Sequence, residues 1–86
     1  MKKDKKTQTA MADRLKWLNA WLRGRSYDIG DKRRDFIFFY YCTLLPMYSP
    51  QRARELTLEV NSRLAEPLDD YAVNSTIRTV NKNRGY

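Results

Sequence analysis

The chain has 86 residues, with 17 lysines and arginines against 10 aspartates and glutamates, and a formal net charge of +7. This length allows one small domain, and the positive charge favours an anionic partner such as nucleic acid or an acidic protein surface. The single Cys42 excludes an internal disulfide and the lack of histidine excludes the common zinc-site spacings, so no metal or cofactor is expected and a reducing cytoplasm is the expected location.

The chain begins with polar and charged residues. Residues 1–10 show no hydrophobic periodicity, which predicts a flexible basic tail ahead of a single helical domain over residues 11–84. Apolar residues then recur at helical spacing and predict a first helix over 11–23, with Gly24 as its stop. The residues of this apolar stripe are Met11, Leu15, Leu18 and Leu22. The glycines, serine and aspartates that follow are typical of a turn.

The run FIFFYYC, residues 36–42, is the most apolar part of the chain. Its residue types favour a strand, but no other segment alternates as a partner strand would, and a lone strand would leave buried backbone groups unpaired. A helix over 31–45, capped by Asp31 and stopped by Pro46, satisfies them internally. We therefore expect a central helix with its aromatic side chains in the core, not forming a base-stacking platform. The run is too short to span a membrane, and no membrane partner is expected.

Two further helices follow this run. Ser49, followed by proline, is typical of a helix N-terminus and predicts a third helix over 50–64. Pro67 breaks the chain, and Asp69 is placed to cap a fourth helix over 70–82. Four helices joined by short loops predict an all-α fold, a compact bundle of about four helices.

Short features between Gly30 and Val80 occur in a recognisable order: a glycine, an arginine, an aromatic-aliphatic run, a serine-led helix, an asparagine, Pro-Leu and a valine. The residues concerned are Gly30, Arg33, Phe36, Ile37, Phe38, Ser49, Asn61, Pro67, Leu68, Val73 and Ile77. In this order they resemble the primase C-terminal type 1 family, a small helical domain of plasmid, phage and other mobile-element replication proteins. Arg34 departs from that family, which often has asparagine there, and the first helix lies outside the resemblance. The resemblance implies a non-catalytic replication module that engages DNA or couples a primase, helicase or polymerase to its neighbours.

The first candidate binding site surrounds the start of the second predicted helix. Its residues are Arg23, Arg25, Tyr27, Lys32, Arg33 and Arg34. Cations at a helix N-terminus oppose the helix dipole by about 0.3–1 kcal/mol each, so a cluster there is locally unfavourable and favours a phosphate-binding role. The alternative is a solvated first turn in which Arg33 or Arg34 pairs with a neighbouring aspartate.

The second candidate is the outer face of the fourth helix and the residues after it. A DNA contact would involve Arg78, Lys82 and Arg84, because the start of that helix carries Asp69 and Asp70, which repel phosphates. The alternative is an ordinary polar face.

Taken together, these patterns predict a protein that is not an enzyme and that binds DNA mainly through phosphate contacts, within a plasmid, phage or mobile-element replication or maintenance system. One alternative is an interaction adaptor of a replication or transcription complex, with Trp17 and Leu58 contacting a partner protein. Another is a helix-turn-helix transcription regulator. The patterns do not distinguish single-stranded from double-stranded DNA, and they fix no oligomeric state.

Overall fold

Four α-helices make up most of the part of the chain that the computed structural model describes, residues 5–84. They are α1 (Lys5–Gly24), α2 (Arg33–Leu44), α3 (Pro50–Ser62) and α4 (Asp70–Arg84). A short 3-10 turn, Gly30–Lys32, precedes α2, and this range contains no strand. The predicted all-α bundle of about four helices is therefore confirmed.

Helix α1 begins earlier than the apolar stripe predicts. It starts at Lys5 instead of residue 11, so the predicted start of the first helix is wrong and residues 5–10 are helical. Lysine, glutamine and alanine are good helix formers, and no glycine or proline interrupts them, so the helix extends beyond the apolar stripe of the sequence. The rest of the predicted tail, residues 1–4, lies outside the described residues.

The connection from α1 to α2 passes through left-handed backbone. Ser26, Tyr27 and Gly30 have φ angles of 54°, 61° and 56°. A residue with a side chain pays about 1–2 kcal/mol for this conformation, whereas glycine does not. At Tyr27 a hydrogen bond from the Ala65 backbone N–H to the Tyr27 carbonyl, 2.9 Å long, holds the turn in place.

Helix α2 starts without the predicted cap. The 3-10 turn carries the chain directly into the helix, so Asp31 lies inside that turn and Lys32 occupies the N-cap position. No side chain hydrogen-bonds to the first turn from this position, and the prediction that Asp31 caps the helix is wrong. At the other end the helix stops at Leu44, just before Pro46, as the proline predicts.

Helix α2 is the central helix, because it packs against α1, α3 and α4. Its side chains Ile37, Tyr41 and Leu44 are completely buried. However, Phe38 is 41% exposed and Phe39 is 55% exposed, so the prediction that all its aromatic side chains lie in the core is wrong for these two. The neighbouring helices cover only part of the circumference of α2, and both phenylalanines fall on the uncovered part.

The predicted helix starts of α3 and α4 are confirmed. The Arg52 backbone N–H donates to Ser49 Oγ at 3.2 Å, and the Ala72 backbone N–H donates to Asp69 Oδ1 at 2.7 Å. Each cap satisfies one of the backbone donors that a helix N-terminus leaves free. Helix α3 ends at Ser62, slightly before its predicted end, and α4 continues to Arg84.

Candidate nucleic-acid interface

Four cationic side chains lie at one end of the bundle. Helices α1 and α2 run antiparallel, since the Tyr40 hydroxyl donates to Asn19 Oδ1 at 3.4 Å while Trp21 stacks on Phe36 with ring centroids 5.8 Å apart. The end of α1 therefore lies beside the start of α2. We call the exposed cations there the basic end: Arg23, Arg25, Lys32 and Arg34.

The cations of the basic end make no ion pair with the described side chains. The ion pairs among the described residues lie elsewhere, on the exposed surface of α3 and at its C-terminal end. They join Arg52 to Glu55 at 3.2 Å and Arg63 to Glu59 at 2.9 Å. The alternative interpretation, in which Arg33 or Arg34 pairs with a neighbouring aspartate, is therefore not the arrangement found. These four cations therefore make no ion pair with the described side chains, although exposed carboxylates lie on segments at the same end of the bundle: Asp28, Asp31, Asp35, Asp69 and Asp70.

Arg33 differs from its two basic neighbours because the fold uses its guanidinium. Its Nε donates to the Gly30 carbonyl at 3.0 Å, and its Nη1 donates to the Glu66 carbonyl at 2.7 Å. Tyr27 is also half-buried and packs against the core. Both residues were predicted as binding residues, and the structure places both in contacts that connect the α1–α2 turn to the α3–α4 loop.

The α3–α4 loop is fixed from its other side by Asn61. Its side-chain amide donates to the Leu68 carbonyl at 2.8 Å, and its carbonyl oxygen accepts from the Leu68 N–H at 3.0 Å. Asn61 is buried, so both of these backbone groups are satisfied away from water. The asparagine and the Pro-Leu pair of the sequence pattern are therefore partners in one structural contact.

Arg25 joins the basic end to an exposed aromatic surface. Its guanidinium carbon lies 4.7 Å from the centroid of the Trp21 ring, within the range of a cation-π contact. Beyond Trp21, an open apolar groove of about 310 Å³ lies on the surface between α1 and α2. We call it the aromatic groove, and it is lined by Trp17, Leu18, Trp21, Lys32, Asp35, Phe36 and Phe39.

The groove continues along α1 into a second hollow of about 540 Å³. This hollow is lined by Asp13, Arg14, Trp17, Leu18 and Phe39. Trp17 is 63% exposed and stands with Phe39 in both hollows, so the two rings face solvent from opposite helices. Large exposed aromatic side chains that share one concave surface are typical of a binding site.

The sequence pattern assigned Phe39 to the core instead of a base-stacking surface, and it did not single out Arg14 as a residue of a candidate site. A signal for Phe39 was present, because Arg34 and Asp35 mark the solvent side of α2, and Phe38 and Phe39 follow them by one helical turn. Leu58, predicted as a partner contact, is half-buried against the core. Of the two predicted partner contacts, Trp17 is the exposed one.

The second candidate site lies at the opposite end of the bundle. Helix α4 runs parallel to α2, because Arg33 binds the loop before α4 and the Tyr41 hydroxyl donates to Asn81 Oδ1 at 2.7 Å. At about 1.5 Å per residue, Lys82 lies about 18 Å along the helix axis from the start of α4. Arg78 and Lys82 are exposed but are not brought to the basic end, and the side chain of Arg84 lies outside the described residues.

Helices α3 and α4 are joined by residues 63–69. A helix-turn-helix motif has a shorter turn of three to four residues between its helices. The α3–α4 connection is therefore longer than that of a typical helix-turn-helix motif, and the carboxylates at the start of α4 lie at the end that would meet the bases.

Comparison of the chain with protein-family models, with curated proteins and with solved structures finds no match. Among the described residues, no helix is long and apolar enough to cross a membrane. The same residues contain no group of three or more histidine, cysteine or acidic side chains arranged to hold a metal ion.

Proposed function

We propose that this protein is a non-catalytic DNA-binding module that contacts the phosphate backbone through its basic end. The observation that carries the proposal is the gathering of Arg23, Arg25, Lys32 and Arg34 at one end of the bundle without acidic partners among the described side chains. Clustered cations of this kind attract a polyanion and release its counterions on binding.

The start of α2 adds to this attraction. Lys32 occupies its N-cap position and supplies no side-chain hydrogen bond, unlike Ser49 in α3 and Asp69 in α4. A helix N-terminus favours a negative charge, and phosphate oxygens are suitable acceptors for its backbone N–H groups. Of the starts of α2, α3 and α4, the one beside the basic end has no side-chain cap.

For the biological setting we propose a plasmid, phage or mobile-element replication or maintenance system, in which the module acts beside a primase, helicase or polymerase of the same element. The resemblance to the primase C-terminal type 1 family supports this part of the proposal. The single Cys42, half-buried in α2, is consistent with a reducing cytoplasm.

Fluorescence anisotropy of labelled DNA at several salt concentrations tests the proposal. If about four phosphates are neutralised, the logarithm of the affinity should fall with the logarithm of the salt concentration with a slope of about −3 to −4. Absence of binding to both single-stranded and double-stranded DNA at low salt would refute the proposal.

A matched pair of charge reversals locates the surface. The variant Arg23→Glu/Arg34→Glu should weaken binding and reduce the salt slope by about 2. Its control, Arg52→Glu/Arg54→Glu, changes the net charge equally on α3, where Arg52 pairs with Glu55 and Arg54 donates to Asn74 Oδ1 at 3.0 Å. Equal losses in both variants would indicate a diffuse basic surface instead of a site.

A second candidate function is an interaction adaptor of a replication or transcription complex. The exposed Trp17 favours it, because tryptophan is enriched at the centres of protein interfaces. An adaptor would bind a partner protein with little dependence on salt and would lack affinity for DNA, so the same anisotropy series distinguishes the two functions.

A further inference from the structure

We infer that the aromatic groove binds unpaired bases, so that the DNA recognised by this protein is single-stranded. This inference rests on the proposed function and specifies the form of DNA that it takes. It uses residues of α1 and α2 that the basic end does not include, above all Trp17 and Phe39.

The first argument is the exposure of ring faces on both sides of the groove. Trp17 of α1 and Phe39 of α2 are more than half exposed, although each lies beside buried neighbours, Leu18 and Phe36. Aromatic rings that remain open to water can stack on the flat faces of bases. In a duplex those faces are already covered by neighbouring base pairs, whereas a single strand can turn them outward.

The second argument is the position of the cations around these rings. Lys32 belongs both to the basic end and to the groove lining, and Arg25 lies over Trp21. Arg14 lines the second hollow, which continues from the groove, together with Trp17. A single strand needs cations for its phosphates alongside rings for its bases, and the groove has basic side chains at both of its ends.

The acidic side chains of the groove fit bases better than they fit phosphates. Asp13 and Asp35 each line one of the two hollows, and a carboxylate there repels a phosphate lying directly over it. A carboxylate also accepts hydrogen bonds from the exocyclic amino group of an unpaired base. The strand should therefore turn its bases into the groove, with its phosphates along the rim near Lys32 and Arg14.

The net charge distinguishes a nucleic acid from a second copy of the chain. Each copy carries a formal net charge of +7, which opposes self-association and favours a polyanion. A single strand of DNA therefore matches both the rings and the charge of this surface.

The adjacent residues Phe38 and Phe39 provide the matched comparison. Both are exposed phenylalanines of α2, but only Phe39 lines the groove. We expect Phe39→Ala and Trp17→Ala to weaken binding of an oligo-dC strand of about 15 nucleotides, whose bases carry an exocyclic amino group, by about 5- to 150-fold each. Phe38→Ala should bind as the unchanged protein does, and Trp17→Phe should retain most of the affinity. Circular dichroism and thermal melting of each variant verify that the fold is kept.

The affinity for a duplex of equal length is measured in the same way. Sedimentation of the free protein gives its oligomeric state. Preference for the single strand, lost on Trp17→Ala, supports the inference. Unchanged single-strand binding by Trp17→Ala and Phe39→Ala, with loss on Arg23→Glu/Arg34→Glu, overturns the groove inference and leaves the proposed function standing. A concentration-dependent dimer that Trp17→Ala dissociates overturns it in favour of a self-interface. Absence of binding to either DNA form overturns both proposals.

Discussion

The two faces of α2 carry the same kinds of side chain and meet different surroundings. On one face Phe36, Tyr40 and Tyr41 are buried under the other helices, and on the opposite face Phe38 and Phe39 are exposed to solvent. Aromatic character alone therefore does not determine whether a side chain of α2 is buried or exposed. The difference arises from where α1, α3 and α4 cover the helix, and it separates residues that stabilise the fold from residues available to a ligand.

The largest effect on stability is expected for a substitution on the buried face of α2. Tyr41 is completely buried, and its hydroxyl donates to Asn81 Oδ1 at 2.7 Å. Replacement by alanine leaves a cavity and an unpaired acceptor in α4, so Tyr41→Ala should lower the free energy of unfolding by about 3–5 kcal/mol. Urea unfolding measures the loss, and Phe38→Ala is the control on the exposed face. Similar losses for the two variants would contradict the described orientation of α2.

A smaller effect separates two adjacent arginines at the start of the same helix. Arg33 donates to the Gly30 and Glu66 carbonyls, whereas Arg34 is exposed and makes no ion pair with the described side chains. Hydrogen bonds from a charged group contribute about 1.5–3 kcal/mol. Arg33→Ala should therefore destabilise the protein by about that amount, and Arg34→Ala should remain within about 0.5 kcal/mol of the unchanged chain. Thermal melting measures both variants, and a larger loss of stability for Arg34→Ala than for Arg33→Ala would contradict the prediction.

The smallest effect is confined to alkaline pH. Burial raises the pKa of the Tyr40 phenol above its ordinary value of 10.0. The unfolded chain then loses this proton first as the pH rises, so the contribution of Tyr40 is present below the ordinary pKa and is lost as the pH rises through the raised one. Tyr40→Phe should therefore flatten the loss of stability above about pH 10. Identical alkaline unfolding curves for the variant and the unchanged protein would rule out this contribution.

The sequence predicted the parts of the fold that depend on local chemistry. Ser49 and Asp69 act as helix caps because a cap needs only its own side chain and the next turn of backbone. The end of α2 before Pro46 is equally local. The start of α1 was misplaced because the helix continues past its apolar stripe, into residues whose periodicity gives no signal.

The candidate site was less predictable because it depends on contacts between distant segments. The bond from Arg33 to Glu66 joins positions 33 residues apart, and nothing near Arg33 in the sequence indicates it. The exposure of Phe39 depends on the placement of α1 beside α2. Because α2 has apolar residues on nearly every side, its hydrophobic periodicity does not indicate which side the other helices cover.

The bond between Arg33 and Glu66, together with the one between Ala65 and Tyr27, ties two loops to each other. Loops on a protein surface are ordinarily mobile, and a ligand that binds them must pay the entropy of fixing them. Here the backbone that carries Arg25 and Lys32 is held by the α3–α4 loop at the same end of the bundle. This end is therefore preorganised, and an anion meeting it would have to order only the cationic side chains.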